Sequence, residues 1–407
     1  MKVELSRITI LKTIIVTLPF GWIDLLPLPY TSLTFMLIYA YFAAAFLALP
    51  RSLSRNAVRN YGIFLFGMWL IMLLRTVFDG GATAFGSWSQ LRQILFYSAF
   101  FVVAVPDVSR MVARGESVER YFLFAMLGMI LMYFGGFVNV HEVTGRASLQ
   151  GVNPNAVGLY AATAFVIFMD MFMRGSRSGF SGNWRLIMIP AMLLLLVILY
   201  RTGSRGGVLI LAAAVTVYFL GWRGLTRKQL LLISLSVPVA FAAIWILVTT
   251  GPVAERLTSM DEDIRLQTLW PTAIEVVKQY PIFGAGFDRT AIIMRRAAGF
   301  DIAPHNELLK VATASGLAGI SLFALFLHRL YKRATRFRQE TGSALRLAIL
   351  VIVVLQLGKG GGALQLPFIW IMFLLLSSHP LAMAKRKPVR IPASNIESEM
   401  IPASRIR

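Results

Sequence analysis

Long apolar runs recur from one end of the chain to the other, each closed by a short polar stretch. They cover residues 7–26, 31–49, 61–78, 92–106, 121–139, 157–173, 186–200, 207–221, 229–250, 307–328, 347–362 and 365–383. Runs of this length and uniformity read as membrane-crossing helices, about twelve in all, and the expected fold is an all-α polytopic membrane protein. A transmembrane barrel would instead alternate apolar and polar positions within short segments, and no stretch does so. Met1 to Leu26 lacks a small-residue cleavage site and reads as a retained first helix. The runs form one membrane domain over 1–383, and 384–407, with its prolines and serines, reads as a flexible tail.

Two connections are long. Residues 140–156 form one, and 251–306 form the other, inserted in the membrane domain. The second is not disordered by composition. "DIRLQTLWPTAIEVVKQYPIFGAGF" carries apolar residues at helical spacing together with Glu275 and Lys278. Asp263 can cap its start, and Pro271 suits a kink or the first turn of a second short helix. The pattern predicts a helix lying along the membrane surface, followed by a turn from Pro281 to Gly286.

Composition agrees: 57% of residues are hydrophobic and 14% charged, where soluble domains carry about 25% charged residues. The net charge of +21 could suggest nucleic acid, but its distribution argues otherwise. The basic residues gather between the runs, as Arg51, Arg55 and Arg59; Arg110, Arg114 and Arg120; and Arg174, Arg177 and Arg185. Further along come Arg223, Arg227 and Lys228, then Arg329, Lys332, Arg333, Arg336 and Arg338, then Lys385, Arg386 and Lys387. All fall on one side if both termini are cytoplasmic, as the positive-inside rule requires, so a membrane lipid and not a nucleic acid is the expected partner. With no cysteine, disulfides, thiol nucleophiles and cysteine-held metals are excluded. The outer acids Asp261, Glu262 and Asp263 are consecutive and do not converge, so no metal site or other cofactor is expected. "GKGGGA", from Gly358, lacks P-loop spacing and reads as a backbone turn, with Lys359 within reach of an anionic headgroup.

Against this pattern, arginines also occur on the side where the rule expects few. Arg201 and Arg205 open the eighth helix, Arg265 sits near the start of the surface helix, and Arg75 and Arg92 lie near outer helix ends. Arginines at such depth tend to face a cavity or an anion, although Arg75 and Arg92 taken singly could equally snorkel to headgroups. A guanidinium fork matches phosphate oxygens. Gly206 and Gly207 would let a ligand approach the backbone at a helix start that offers free N–H groups. Of the 4 histidines, His328 and His379 fall on the basic side and His141 in the first outer loop. His305, in "PHNELL", precedes Asn306 as a helix N-cap with Glu307 in the first turn. It can accept a proton near neutral pH, or simply start the helix.

Read in order, "GVNPNAVGLY", "TGSRGGVLIL", "IRLQTLWPTAIEVVKQYPIFGAGF" and "PHNELLKVATASGLAGISLF" resemble the O-antigen ligase and polymerase superfamily of bacterial envelope glycosyltransferases. The resemblance implies a C-type glycosyltransferase fold in the inner membrane, with a periplasmic active site. It also implies an undecaprenyl-diphosphate-linked glycan donor and neither metal nor nucleotide sugar. The family's phosphate-handling arginines carry over to Arg205 and Arg265 and its loop histidine to His305; Arg201 has no secure counterpart. Asn306, Gly206, Gly207, Arg75 and Arg92 complete the candidate substrate-binding set. A ligase delivering a polysaccharide to a lipid A–core sugar and a polymerase extending a growing glycan both fit these motifs. A protein-directed oligosaccharyltransferase is a third member of the same class. A lipid-glycan transporter would also explain basic residues in a membrane cavity, but would not need His305.

Overall fold

The structure, a computed structural model, describes residues 2–21, 23, 32–47, 54–78, 85–140, 145–174, 184–222, 265–299 and 304–378. The predicted helix 229–250, Asp263 with its proposed cap, and the tail 384–407 lie outside the described residues. The chain is mostly helical. In order come α1 (Lys2–Val16), α2 (Leu33–Leu47), α3 (Arg55–Phe78), α4 (Phe85–Ala113) and α5 (Val118–Phe134). Then follow α6 (Pro154–Arg174), α7 (Trp184–Arg201) and α8 (Arg205–Gly221). After residue 264 lie α9 (Trp270–Gln279), α10 (Gly286–Ala298), α11 (Glu307–Thr341), α12 (Leu345–Lys359) and α13 (Pro367–Ser377). Among the described residues, α3, α6, α11 and the Trp88–Ala113 portion of α4 are long and apolar enough to cross a membrane, with α2, α7, α8 and α13 as shorter apolar helices.

Several boundaries differ from expectation. Helix 92–106 extends to 85–113 and accommodates Pro106 in its interior. The expected helix to residue 139 stops at Phe134, and Val138–Val140 pairs antiparallel with Ala147–Leu149. This two-stranded hairpin is a small addition to an otherwise mostly helical fold. The 365–383 run forms a helix only to Ser377.

The core is built around α13, whose residues from Phe368 to Leu376 are fully buried. Helix α13 packs against α4, α11 and α12. Helix α12 lies on α8, α8 on α6, and α11 on α3. At the end carrying the basic clusters, buried acids gather arginines from different helices. Asp107 of α4 meets Arg7 of α1 and its own neighbour Arg110, each at 2.7 Å, and accepts from the Tyr41 hydroxyl of α2 at 2.6 Å. Asp170 of α6 pairs with Arg174 and accepts from Ser343 and from Tyr218 of α8. Glu119 of α5 faces Arg346 of α12 at 3.5 Å. Part of the basic charge is therefore used inside the protein, because an unpaired buried carboxylate would cost several kcal/mol.

Helix α11 has 35 residues, which at 1.5 Å per residue is about 50 Å, far beyond a roughly 30 Å hydrocarbon core. It is broken. Gly316 has φ +63° and ψ −163°, outside helical space. The freed backbone groups are taken up by the Pro281–Ala285 turn. Ala285 N–H donates to Thr313 O at 2.7 Å, Leu317 N–H to Pro281 O at 2.7 Å, and Ala318 N–H to Ile282 O at 3.0 Å. Gly284, also at positive φ (+71°), completes the seam: a Cβ there would lie 2.5 Å from Ser315 N, and one on Gly316 would collide with the Ile282 carbonyl. Gly316→Ala is expected to reduce the thermal midpoint of the detergent-purified protein by several degrees or to abolish its monodisperse peak, because both φ and space forbid the methyl. An unchanged midpoint would show that the break does not depend on glycine.

Candidate active site

The turn between α7 and α8 is set by its sequence. Gly203 takes φ +57°, which ends α7. Ser204, fully buried, caps α8 by accepting from Gly207 N–H at 3.1 Å. A side-chain cap satisfies one first-turn donor and leaves the helix end positive. The cap is itself held. Ser204 Oγ lies 3.3 Å from Asn155 Oδ1, Arg146 donates to Asn155 Oδ1 at 2.9 Å, and Arg146 Nε donates to Thr202 O at 2.8 Å. Helix α6 comes close enough because residue 158 is glycine; a Cβ there would be 2.8 Å from Ser204 Cβ. Thus "GVNPNAVG" and "TGSRGG" fold against each other.

On the other flank, α9 falls where the sequence predicts a helix. A π-turn, Arg265–Leu269, leads into it, and Pro271 occupies its first turn. Trp270 Nε1 donates to Pro304 O at 3.0 Å, and Leu269, Ala273 and Met294 form a small core joining α9 to α10, with Leu309 of α11 against it. Helix α10 was not anticipated, since "GFDRTAIIMRRAA" is too charged to register as an apolar run. Arg75 Nε donates to Gly284 O at 3.0 Å, fixing the turn to the end of α3. His305 follows Pro304 directly. It has φ +51°, the left-handed region, and is half-buried. Asn306 then caps α11 by accepting from Leu309 N–H at 3.0 Å. Glu307, fully buried, faces Lys310 at 3.7 Å, so this charge pair is balanced within the first turn.

The turn after α12 joins the two flanks. A Cβ on Gly206 would collide with the Lys359 ammonium and lie 2.6 Å from Lys359 Cε. A Cβ on Gly361 would lie 2.8 Å from His305 Nδ1. The α8 N-terminus, with Arg205 as its first residue, and His305 are therefore brought to one place by residues 359–361.

The predicted residues separate accordingly. His305, Asn306, Arg205, Gly206 and Gly207 border this place, and Arg265 lies on the turn that opens α9. Gly206 leaves room for the Lys359 side chain, and a Cβ on Gly207 would lie 2.8 Å from Leu199 Cδ1. Arg201 is the last residue of α7 and does not open α8; it is exposed, with its guanidinium 5.9 Å from the Tyr133 ring centre. Arg75 is engaged with Gly284. Arg92 lies at a cavity of about 370 Å³ lined by Phe35, Tyr39, Phe42 and Phe96, between α2 and α4.

Residues 190–324 match the family model described as O-Antigen ligase. Over these residues the chain is O-antigen ligase-like. No curated protein matches it. The match supports ligase- or polymerase-type function in general, a glycosyltransferase-like enzyme, and lipid-linked glycans as the substrate class. With the apolar helices, it also marks a membrane protein. The O-antigen ligase-like stretch contains Arg205, Arg265 and His305. Asn155 and Lys359, which complete the surroundings of Arg205, lie outside it. Only the glycines at 158, 206 and 361 signal in the sequence that something must come close.

Proposed function

We propose that the protein is a metal-independent, inverting glycosyltransferase that moves a polysaccharide from undecaprenyl diphosphate to a hydroxyl of a lipid A–core sugar. The reaction takes place at the periplasmic face of the inner membrane, with both termini cytoplasmic. The observation that carries this reading is that one short turn, 359–361, touches both the α8 N-terminus, through Lys359, and His305, at Gly361. Breaking the anomeric carbon–oxygen bond leaves a diphosphate whose new charge must be stabilised. Arg205, the positive end of α8 and Arg265 supply that stabilisation. The attacking hydroxyl gives its proton to His305 as the new carbon–oxygen bond forms. Attack opposite the leaving group inverts the anomeric centre. Arg75 has a bonded place in the fold, so its part is to hold the Pro281–Ala285 turn.

Purified protein in liposomes, given a lipid-linked glycan with or without a lipid A–core acceptor, tests the reading. Acceptor-dependent appearance of glycan on the core lipid is the expected product. Longer lipid-linked chains formed without the core acceptor would assign polymerase chemistry. Movement of the glycan across the bilayer with no new glycosidic bond would overturn enzyme function in favour of transport.

A further inference from the structure

The Pro281–Ala285 turn presents three apolar residues in succession. Pro281, Ile282 and Phe283 are all exposed, Ile282 at 61% and Phe283 at 56%, whereas Gly284 to Asp288 directly after them are buried. A turn that faces water is normally polar, and a contiguous exposed apolar patch marks a contact surface. Leu317 of α11, exposed as well, adjoins the patch, since its N–H donates to Pro281 O. It heads a face that continues along α11 through Ser321 and Leu325, both exposed. On α3, which packs against α11, Ile63, Leu70, Leu74 and Val77 are exposed on one face. Both helices are long and apolar enough to cross a membrane, so the turn continues surfaces that lipid covers.

Two helices give its depth. Gly316 lies about 20 Å from Arg329 along the unbroken part of α11. Arg75, whose Nε holds Gly284 O, lies roughly 24 Å from Arg59 along α3. A hydrocarbon core is roughly 30 Å thick, so both fall short of the boundary opposite the basic clusters, and any tilt of the helices sets the turn deeper. Val77 and Phe78, beyond Arg75 on α3, are themselves exposed apolar residues. Irregular backbone is tolerated at such depth only where the protein satisfies it. Here Pro281 O and Ile282 O accept from Leu317 and Ala318 N–H, Gly284 N–H donates to Tyr280 O at 3.1 Å, and Gly284 O accepts from Arg75. Directly before the turn, Tyr280 carries the Arg289 guanidinium 4.6 Å from its ring centre. Amphipathic aromatic and arginine side chains of this kind suit headgroup level.

We infer that the Pro281–Ala285 turn is a re-entrant wedge whose Ile282 and Phe283 side chains stand among the lipid hydrocarbon chains of the leaflet opposite the basic clusters. The segment carrying α9 and α10 is thereby seated in the bilayer and not on it. Because α9 ends just before the wedge and α10 starts just after it, the lipid sets the height of both helices against α3 and α11. Nothing in this depends on the glycosyl-transfer reading.

The chain has no cysteine, so a single introduced cysteine carries a nitroxide label without background. The test uses the full-length protein in vesicles of phosphatidylethanolamine and phosphatidylglycerol, as Ile282→Cys, Phe283→Cys, Leu325→Cys and Glu275→Cys. Leu325 supplies the reference for a lipid-facing span, and Glu275, exposed on α9 and 3.6 Å from Lys278, the charged contrast. Collisions of each label are measured with oxygen, which concentrates in hydrocarbon, and with a nickel chelate confined to water. Labels at 282 and 283 are expected to give oxygen-to-nickel ratios close to that at 325 and several-fold above that at 275. Ratios at 282 and 283 that favour nickel would place the turn in water and overturn the inference. Shielding of both positions from oxygen and nickel alike would mean that protein, such as a second copy of the chain, covers the patch, and would overturn it equally. Thermal midpoints accompany each variant; should Phe283→Cys fail to fold, Ile282→Cys, whose side chain stands mostly outside the protein, decides alone.

Discussion

Replacing His305 with alanine is expected to slow glycan transfer by roughly 10²- to 10⁴-fold, the range for losing a positioned general base, while lipid-linked donor still binds. The fold should tolerate the change. The α11 cap belongs to Asn306, whose bond to Leu309 N–H does not involve the imidazole, and Trp270 holds the chain at Pro304, one residue earlier. His305→Gln is the sharper variant. Glutamine can keep a hydrogen bond to the acceptor hydroxyl but cannot take its proton, so it should remain slow. Wild-type activity should decline in acid as the imidazole becomes protonated, and the glutamine variant should lack that decline. Single-turnover transfer and donor binding, measured separately across pH, check the assignment. Near-wild-type transfer by His305→Gln would leave the residue as a helix-start element and put the catalytic burden on electrostatics.

The second large effect concerns Arg205 and Arg265. Alanine at either position should reduce transfer about 10- to 150-fold, from 1.5–3 kcal/mol for one charge-assisted contact, and more where water is excluded. Expression and membrane insertion should persist. Arg205 is the first residue of α8, alanine is a good helix former there, and the Ser204 cap is independent of it. Lysine should restore little at either position, since a point charge cannot supply two parallel donors. The same single-turnover assay, with a thermal midpoint on each variant, checks this. Full activity in both lysine variants would mean that bulk positive charge suffices.

What the sequence made visible follows local rules. Asn306 caps its helix where its side chain can reach forward into the first turn, Pro271 falls in a first turn, and the chain turns between Pro281 and Gly286. These depend on neighbours within a few residues. Lys359 was legible as a basic residue in a glycine turn within reach of an anionic headgroup, but not as a neighbour of Gly206, which is remote in the chain. Arg75 looked like Arg205 in sequence. Its bond to Gly284 O, 209 residues away, is a contact that no local pattern reveals. Asp107 and Asp170 were overlooked because their arginines already had a sufficient explanation in topology. The break at Gly316 was hidden for another reason. Glycine is common in membrane helices, and only the backbone of the Pro281–Ala285 turn turns this one into an interruption.

That interruption bears on how the protein could be re-engineered. The hydrogen bonds across it run from main chain to main chain, so they read spacing and not side-chain identity. A single insertion between Pro281 and Ala285 would put every donor opposite the wrong carbonyl. Chimeras that exchange this segment with one of a different length should therefore fail, even where every conspicuous side chain is kept. Residues 265–318 form the smallest transplantable cassette, and it should be moved together with the last turn of α3, whose Arg75 and Thr76 receive its edge.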